Sequence, residues 1–265
     1  MKIKKQLYRI HWLLSFQFGI DVKKFINAII SLPRFFLNLY KFSRDFKGLI
    51  KLSPCLHDRN EAGGDAKSEY FWQDLLVAQL IHSKNPSLHV DVGSRIDGFV
   101  AHIASFRQIE VFDIRNVENV IPGVNFKQRD FTKPDKELSE YCDSLSCLHA
   151  LEHFGLGRYG DDIDPLAFKE GLKNMSDMLR DNGTLYLSVP IGIERVEFNA
   201  NYVFNPITII STAVKNNLKL TSLIVIYQSG TREVFLPSDR LINSLSEKEY
   251  SLGVFVFSKI GNTLS

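Results

Sequence analysis

Two histidines and a glutamate near the middle of the chain have the residue types and the spacing for acid–base chemistry. His149, Glu152 and His153 are separated by three and one residues, so on a helical turn His149 shares a face with both of the others. An imidazole, whose unperturbed pKa is about 6.5, can be tuned by a neighbouring carboxylate to accept a proton near neutral pH. The spacing therefore predicts a general base in this segment.

A glycine-bearing loop precedes these residues in the stretch 88–98, LHVDVGSRIDG, where an apolar run ends at Asp91. The apolar residues of the following FVAHIASF recur at helical spacing, so the stretch predicts a strand, a turn and a helix. Glycine in such a turn lets the backbone approach a ligand, and the helix that follows presents unpaired N–H groups to an anion. The pattern favours a nucleotide site, and an ordinary turn between a strand and a helix is the alternative.

Acidic residues end the next two predicted strands. Asp113 closes IEVFD and lies 113 − 91 = 22 residues after Asp91, where an acid can accept both hydroxyls of an adenosine ribose. Asp130 follows VNFKQ, in a position to accept from the adenine amino group. The order continues with a fourth strand, DSLSCL, a helix at about 165–180 ending at Asn182–Gly183, and a fifth strand, TLYLSVP. This alternation predicts a doubly wound sheet with an acid at successive strand ends.

Five segments together resemble the successive motifs of class I S-adenosylmethionine-dependent methyltransferases: HVDVGSRIDGF, VFDIR, QRDF, CLHALEHF and LRDNGTLYLSVPIG. GSRIDGF combined with VPIGIERVEFNANYVFNP is similar, more narrowly, to a mostly bacterial methyltransferase-like family catalogued as a domain of unknown function. The resemblance covers residues 68–259. It implies an α/β fold with a Rossmann-like, doubly wound, mostly parallel seven-stranded sheet whose last strand is antiparallel. It also implies S-adenosylmethionine as the cofactor and methyl transfer to a polar acceptor, such as a sugar hydroxyl of a surface glycan or its lipid-linked precursor.

The resemblance assigns residues to two roles. It places the cofactor against Asp91, Gly93, Ser94, Arg95, Gly98, Asp113, Ile114, Asp130 and Phe131. The candidates for the base or for contacts with the acceptor are His149, Glu152, His153 and Asn199. In the superfamily the tripeptide LEH is often a strand-end or cofactor-contacting element, which is the alternative to a catalytic role.

One departure from the superfamily pattern is at Arg95. The loop usually reads D-x-G-x-G-x-G, and here Arg95 takes the place of the middle glycine while Gly98 comes one residue late. Arg95 could pair with the methionine carboxylate of the cofactor, point to solvent, or fill the pocket of a protein that no longer binds cofactor. The last option makes an inactive binding or scaffold protein at the membrane surface the second hypothesis. A nicotinamide dehydrogenase fits poorly, because its G-x-G-x-x-G turn is absent.

Charge is distributed unevenly along the 265 residues, whose net charge is +2. Residues 1–51 hold eleven Lys or Arg against Asp21 and Asp45, a charge of +9, so the remainder carries 2 − 9 = −7. Bulky apolar residues recur at helical spacing through residues 1–50, with Asp21 as an N-cap and Pro33 as a break or the start of a new helix. No uncharged apolar run there is long enough to span a bilayer.

This basic extension allows three interpretations. The first is an amphipathic element on an anionic membrane surface, which would place a cytoplasmic protein at the inner face of the membrane. The others are a helical cap packed on the domain or on a second subunit, so a homo-oligomer stays open. Nucleic acid is not favoured, because the chain contains no recognised nucleic-acid module.

The remaining features concern domains and cysteines. Residues 1–50 form the extension, 51–67 are a polar linker or a lid over the cofactor, and 68–265 form the methyltransferase-like domain. An early helix of this domain carries two aromatic residues that are predicted to be in the core, Phe71 and Trp72. Three cysteines without a C-x-x-C motif indicate a reducing compartment and no disulfide framework. Although Cys142, Cys147, His149 and His153 are close in sequence, a buried strand accounts for the cysteines, and no metal is predicted.

Overall fold

The computed structural model describes residues 12, 14–56, 59, 66, 68–230, 232–236 and 238–261 of the chain. The chain divides into two compact units, residues 1–65 and residues 66–265. The predicted extension and linker lie partly outside the described residues.

Helix α1 (Val22–Asp45) is the main element of the first unit. The carboxylate of Asp21 accepts a hydrogen bond from the backbone N–H of Lys24 at 3.0 Å, which confirms the predicted N-cap. The predicted break at Pro33 is wrong, since α1 continues through it. A proline removes one hydrogen bond, and the apolar and polar faces continue in register on both sides of it. In the described part of the chain, no helix is long and apolar enough to cross a membrane.

The second unit is built from ten strands and five helices in its described residues. The strands are β1 (His89–Val92), β2 (Ile109–Asp113), β3 (Val124–Gln128), β4 (Cys142–Leu148), β5 (Leu179–Ile191), β6 (Arg195–Glu197), β7 (Asn201–Val203), β8 (Leu218–Ile226), β9 (Arg232–Phe235) and β10 (Ser251–Lys259). The helices are α2 (Glu69–Lys84), α3 (Ala101–Ala104), α4 (Ala167–Met178), α5 (Pro206–Lys215) and α6 (Asp239–Ser246). A π-helical turn spans Ile96–Val100, and 3₁₀ turns span Lys136–Leu138 and Leu151–His153.

The central sheet has the strand order β3-β2-β1-β4-β5-β10-β8-β9. Strands β1 to β5 run parallel, and β10 pairs antiparallel with both β5 and β8. The chain moves outward from β1 to β3 and then returns to place β4 on the other side of β1. The order of the sheet therefore reverses between β1 and β4, and open α/β sheets bind ligands beyond the carboxyl ends of the strands at such a point.

Helices cover both faces of the sheet. Leu172 of α4 and Ile209 of α5 belong to the buried cluster on one face, whereas Val77 of α2 and Ile103 of α3 belong to the cluster on the other. Strands that are buried on both faces read as continuous apolar runs, which explains the composition of the strand segments. The Rossmann-like doubly wound fold predicted from the sequence is confirmed, including its antiparallel last strand.

Strand number differs from the prediction by one. Seven strands were expected, and β9 adds an eighth at the edge. Val234 and Phe235 pair antiparallel with Ile224 and Leu223 of β8. A short edge strand with a single partner leaves little periodicity in the sequence, so the pattern does not reveal it.

Two local predictions are also corrected. Helix α4 ends at Met178 and β5 begins at once, so Asn182–Gly183 lie inside the strand rather than capping the helix. Asn182 has φ +63° beside a register shift against β4, and Asn–Gly suits such a bulge as well as a helix end. In α2, Phe71 is exposed rather than core, whereas Trp72 packs partly buried against the sheet.

Candidate active site

The loop after β1 depends on a glycine at its first position. Gly93 has φ +73°, and its N–H donates to the carbonyl of Phe112 in β2 at 2.8 Å. A Cβ at this position would lie 2.9 Å from the Cβ of Ala150, which follows β4. A side chain at this position is therefore disfavoured both by the backbone conformation and by the close approach of the β4 loop.

Asp91 holds the loop from within the sheet and is fully buried. Its Oδ2 accepts from the N–H of Ser94 at 2.9 Å, and its Oδ1 accepts from the hydroxyl of Ser94 at 2.6 Å and from that of Ser146 in β4 at 2.5 Å. The Ser94 hydroxyl oxygen in turn accepts from the N–H of Leu148 at 3.0 Å. Asp91 thus supports the loop, and Ser94 joins it to the end of β4.

The same network extends into the sheet through His89. Its Nδ1 lies 2.8 Å from the hydroxyl of Ser144, and its Nε2 lies 3.2 Å from that of Ser146. Burial lowers the pKa of His89 to about 3, so its ring is neutral. Burial raises the pKa of Asp91 to about 7, against the opposing effect of the hydrogen bonds from Ser146 and Ser94.

The side chain of Arg95 faces solvent. Its side chain is 59% exposed and forms two hydrogen bonds with Asp97, at 3.0 and 2.7 Å, while its guanidinium lies 5.4 Å from the ring centre of Tyr70. Gly98 lies in the π-helical turn, where a Cβ would be 2.5 Å from Oδ2 of the buried Asp74. The late glycine therefore lets the turn after β1 pack closely against α2.

Asp113 lies at the end of β2 with its carboxylate already engaged. Arg115 donates to it from the backbone N–H at 2.8 Å, from Nε at 3.0 Å and from Nη2 at 2.6 Å. The guanidinium of Arg115 also lies 4.4 Å from the ring centre of Tyr159. Ile114, the residue between them, accepts from the amide of Gln128 through its carbonyl at 2.7 Å. A ribose at Asp113 would have to share this carboxylate with Arg115.

Asp130 organises the turn after β3. Its Oδ1 accepts from the N–H of Thr132 at 2.9 Å and from its hydroxyl at 2.6 Å, while Oδ2 lies 3.3 Å from Nζ of Lys133. Burial alone would raise the pKa of Asp130, but these bonds hold it below its ordinary value. The adjacent Phe131 is buried against Phe112, with 5.7 Å between ring centres.

The structure brings His149 and Glu152 together just beyond β4. Nδ1 of His149 lies 2.7 Å from Oε1 of Glu152, and both side chains are almost completely buried. His149 adopts a left-handed backbone conformation with φ +53°. Such a conformation costs a non-glycine residue about 1 to 2 kcal/mol, and such strain tends to cluster at functional sites.

Residues from α2 and from the segment before β10 close the other side of His149. Oε1 of Glu69 lies 3.6 Å from Nε2 of His149, and the ring of Tyr70 stacks on the imidazole with 4.4 Å between ring centres. Tyr250 donates its hydroxyl to Oε1 of Glu69 at 2.7 Å. In the described part of the chain, His149 Nε2 and Glu152 Oε2 are buried polar atoms without a hydrogen-bond partner.

The carboxylates dominate the electrostatics of this cluster, which we define as Glu69, Tyr70, His149, Glu152 and Tyr250. Burial would lower the pKa of His149, but Glu152 first and Glu69 second raise it above its ordinary value. Burial, together with Glu152 and Glu69, raises the pKa of Tyr70 to about 12. The carboxylates therefore favour a His149 imidazole that is protonated or ready to accept a proton, whereas the Tyr70 hydroxyl stays neutral.

His153 and Asn199 lie to the side of the cluster. His153 Nε2 is 4.0 Å from Oε1 of Glu152, and its Nδ1 donates to the carbonyl of Ala200 at 2.8 Å. Burial lowers the pKa of His153 below its ordinary value. Arg158 donates to the same carbonyl at 2.8 Å. Asn199 is exposed in the turn between β6 and β7, so the structure does not gather it with His149.

The glycine-rich loop 155–160 is organised by Asp161. The Asp161 carboxylate accepts from the N–H of Gly155 at 2.7 Å and from the N–H of Tyr159 at 3.3 Å. A Cβ at Gly155 would lie 1.9 Å from the carbonyl oxygen of Asp164, so only glycine fits. No group of three or more His, Cys, Asp or Glu residues within the described ranges could hold a metal ion.

Sequence analysis missed three members of the cluster: Glu69, Tyr70 and Tyr250. The sequence carried a signal for the first two in the spacing of polar residues on one helix. Glu69 stands four residues before Gln73, and Tyr70 stands four residues before Asp74, so each pair lies on one side of a helix with a buried face. Gln73 and Asp74 are buried despite being polar. Tyr250 joins the cluster from 181 residues beyond Glu69, and a single sequence carries no signal for that contact.

Comparison with known families gives one partial match. The model described as "Caenorhabditis protein of unknown function, DUF268" matches residues 95–215. Its description names Caenorhabditis, so it gives no support to the mostly bacterial distribution expected from the sequence. No curated protein matches this sequence.

Solved structures share the fold at low sequence identity. The 1,6-didemethyltoxoflavin-N1-methyltransferase of Burkholderia thailandensis, solved with 1,6-didemethyltoxoflavin and S-adenosylhomocysteine, aligns with a TM-score of 0.51 and 14% identity over 88% of this chain and 89% of that one. The [4+2]-cyclase SpnF aligns with a TM-score of 0.50 and 11% identity over 75% of this chain and 86% of that one. These likenesses establish the Rossmann-like methyltransferase fold, and their different names show that the fold alone does not fix the reaction.

Proposed function

We propose that this protein is an S-adenosylmethionine-dependent methyltransferase that acts on a polar acceptor. The observation that carries the proposal is the buried pair of His149 and Glu152, with two unpartnered polar atoms, beside a glycine loop at the switch point of the sheet. A buried polar atom without a partner costs about 1 to 3 kcal/mol, so this pair favours a ligand that completes it. The fold shared with a methyltransferase solved with S-adenosylhomocysteine supports the choice of cofactor.

The residues present fit this cofactor. Gly93 lets the loop backbone pass close to Ala150 beyond β4, Asp91 fixes the loop backbone, and Asp113 would offer its carboxylate to the ribose hydroxyls in exchange for Arg115. When bound, S-adenosylmethionine supplies a methyl group that its sulfonium has already activated. The work left to the protein is to orient the acceptor and to manage one proton.

His149 is the residue we assign to that proton. Its Nδ1 donates to Glu152, so Nε2 is the nitrogen that accepts a proton. Nε2 would take up the proton that an acceptor hydroxyl loses in exchange for the methyl group, while the sulfur–methyl bond breaks and the sulfonium becomes the neutral thioether of S-adenosylhomocysteine. Glu152 holds the ring in this orientation and stabilises the imidazolium that forms, and the acceptor would have to reach the buried Nε2 past Glu69, whose Oε1 lies 3.6 Å away.

We propose a sugar hydroxyl, on a surface glycan or its lipid-linked precursor, as the acceptor. The support is the polar segment from β6 to β7, which His153 and Arg158 tie to the residues beyond β4 through the carbonyl of Ala200. Glu194 and Asn199 are exposed on this segment and can hydrogen-bond to a sugar. The described cysteines form no disulfide, which supports a cytoplasmic location facing such precursors.

Calorimetric titration with S-adenosylmethionine and S-adenosylhomocysteine tests the proposal. We expect micromolar binding, abolished in Asp113→Ala and retained in Glu137→Ala, which removes a carboxylate that is 80% exposed. Transfer of a labelled methyl group to sugar-containing lipid extracts then tests the acceptor class. Folded protein that fails to bind either compound at millimolar concentration would refute the proposal.

The second candidate is a catalytically inactive scaffold on the same fold. The observation that favours it is the pairing of Asp113 with Arg115, which occupies the carboxylate expected to hold the ribose. The titration separates the candidates, because a scaffold without cofactor shows no heat with either compound. The exposed position of Arg95 favours the enzyme, since this residue leaves the pocket free.

A further inference from the structure

Helix α1 carries an exposed apolar face with no element described against it. We define this outer face as the apolar residues that recur three and four positions apart along the helix: Val22, Phe25, Ile26, Ile29, Ile30, Phe36, Leu37 and Tyr40. Ile30 is 70% exposed and Phe25 is 65% exposed. A helix of 24 residues is about 36 Å long, so the face is a continuous stripe of large hydrophobic side chains. An exposed apolar patch of this size marks an interaction surface.

The charges beside the outer face are almost all positive. Lys23, Arg34 and Lys41 are spaced eleven and seven residues apart, so with 3.6 residues per turn they lie on one line next to Ile30. The region 1–51 contains eleven basic residues against two acidic ones. Long basic side chains in this position can lay their methylene groups along an apolar surface and keep the charge outside it.

We propose that α1 lies flat on an anionic lipid surface, with its outer face inserted between the headgroups and the Lys and Arg line paired with lipid phosphates. Charge complementarity selects this occupant. Pairing with a second copy of the chain would bring two strongly positive helices together, which is unfavourable. A nucleic acid would attract the cations but would give no partner to the apolar stripe. The combination of a bulky apolar face and a basic border is that of an interfacial helix.

Two features fit an interfacial orientation rather than a spanning one. Arg34 and Lys41 would place charged side chains within the hydrocarbon core if α1 crossed a bilayer, which is costly. No helix in the described residues is apolar enough to cross a membrane. Tyr40, on the outer face near the carboxyl end, has the amphipathic ring that settles at headgroup level. This inference concerns the first unit only and is independent of the methyltransferase proposal.

Vesicle flotation of the full chain tests the inference with a matched pair of variants. Ile29→Glu with Phe36→Glu places two negative charges on the outer face, and Asn27→Glu with Asn38→Glu, called the opposite-face variant, places the same two charges outside that face, beyond the Lys and Arg line. The probes are vesicles of phosphatidylcholine alone and of phosphatidylcholine with phosphatidylglycerol. Unfolding of the second unit, followed by urea titration, checks that both variants remain folded.

We expect the unmodified chain to float with the anionic vesicles and much less with the neutral ones. The outer-face variant should lose more than about tenfold in partitioning, since two large apolar side chains no longer enter the lipid. The opposite-face variant should lose severalfold less, because it changes only the charge. Equal losses in the two variants, no flotation of the unmodified chain, or conversion of a dimer to a monomer by the outer-face variant without lipid binding would each overturn the inference.

Discussion

Two buried carboxylates, one within β1 and one beyond the neighbouring strand β4, differ in how their oxygens are satisfied. Asp91 in β1 is fully buried and accepts three hydrogen bonds, from both polar groups of Ser94 and from the hydroxyl of Ser146. Glu152 beyond β4 is equally buried, yet only its Oε1 has a partner, which is His149. The first site is complete within the protein, and the second is not.

This difference distinguishes a carboxylate that supports the backbone from one that can take part in chemistry. A fully satisfied buried network rigidifies the backbone around it, whereas a partly satisfied one carries a cost that a bound group can remove. Asp91 therefore fixes the glycine loop, and Glu152 with His149 forms the part of the site that is open to a ligand. Asp113 is intermediate, because its carboxylate is satisfied by Arg115, a residue whose side chain is 48% exposed.

The largest expected effect in this comparison belongs to Asp91→Ala. Its removal leaves the buried N–H of Ser94 without an acceptor and the hydroxyl of Ser146 with only His89 Nε2, 3.2 Å away, beside it. We expect the free energy of unfolding to fall by about 3 kcal/mol, measured by urea titration at neutral pH. Asp97→Ala, which removes an exposed carboxylate from the same loop, should change it by less than about 0.5 kcal/mol. Similar values for the two variants would contradict the supporting role of Asp91.

The pH dependence of stability checks the same assignment. Burial raises the pKa of Asp91 from 3.8 to about 7, so between these values the folded protein holds a proton that the unfolded chain has released. The contribution of Asp91 to the free energy of unfolding therefore falls as the pH rises through this range. Asp91→Ala should reduce this slope, as measured by urea titrations from pH 4 to pH 7.

The region around Asp91 and Gly93, which we call the supporting region, was easier to predict from the sequence than the cluster. Asp91 and Gly93 stand at the junction of an apolar run and a turn, and both features are local. The loop and the pairing of His149 with Glu152 follow from residues close together in the chain. Local patterns suffice there because β1 and β4 bury both of their faces and so leave long apolar runs.

The region around Glu152, His149 and Asp113, which we call the open region, was harder to predict from the sequence, because contacts between distant segments complete it. Tyr250 reaches Glu69 across 181 residues. Arg115 was visible in the sequence only as a basic residue after a strand, and its pairing with Asp113 depends on the turn that the backbone makes after β2. A tertiary contact of this kind leaves no periodicity and no motif in a single sequence.

Arg115 should compete with the ribose for the carboxylate of Asp113. Arg115→Ala removes two side-chain hydrogen bonds to Asp113 and leaves the carboxylate accessible. We expect binding of S-adenosylmethionine to tighten by about fivefold, or about 1 kcal/mol, since a charged hydrogen bond near the surface no longer has to be broken. Calorimetric titration measures the change. Weaker binding would show instead that Arg115 itself contacts the cofactor.

Glu152→Gln tests the open site and should alter stability much less than Asp91→Ala. The amide oxygen can still accept from His149 Nδ1, and the substitution removes a buried charge with an unpartnered oxygen. We expect the free energy of unfolding to change by less than about 1 kcal/mol. The pKa of His149, followed by NMR, should fall, because Glu152 is the strongest influence raising it. A stability loss as large as that of Asp91→Ala would place Glu152 among the supporting residues.

The smallest effect on stability and on cofactor affinity is expected for Arg95, for which the sequence and the structure indicate different roles. The residue replaces a loop glycine, which suggests a role in the cofactor pocket, but its guanidinium is exposed and paired with Asp97. An exposed ion pair contributes about 0 to 1 kcal/mol, so Arg95→Ala should change stability by less than about 0.5 kcal/mol and the cofactor dissociation constant by less than about twofold. Calorimetry and urea titration measure the two quantities. A loss of affinity of about tenfold without a change in stability would mean that Arg95 turns inward when cofactor binds, and the open region would then extend from β4 to the loop after β1.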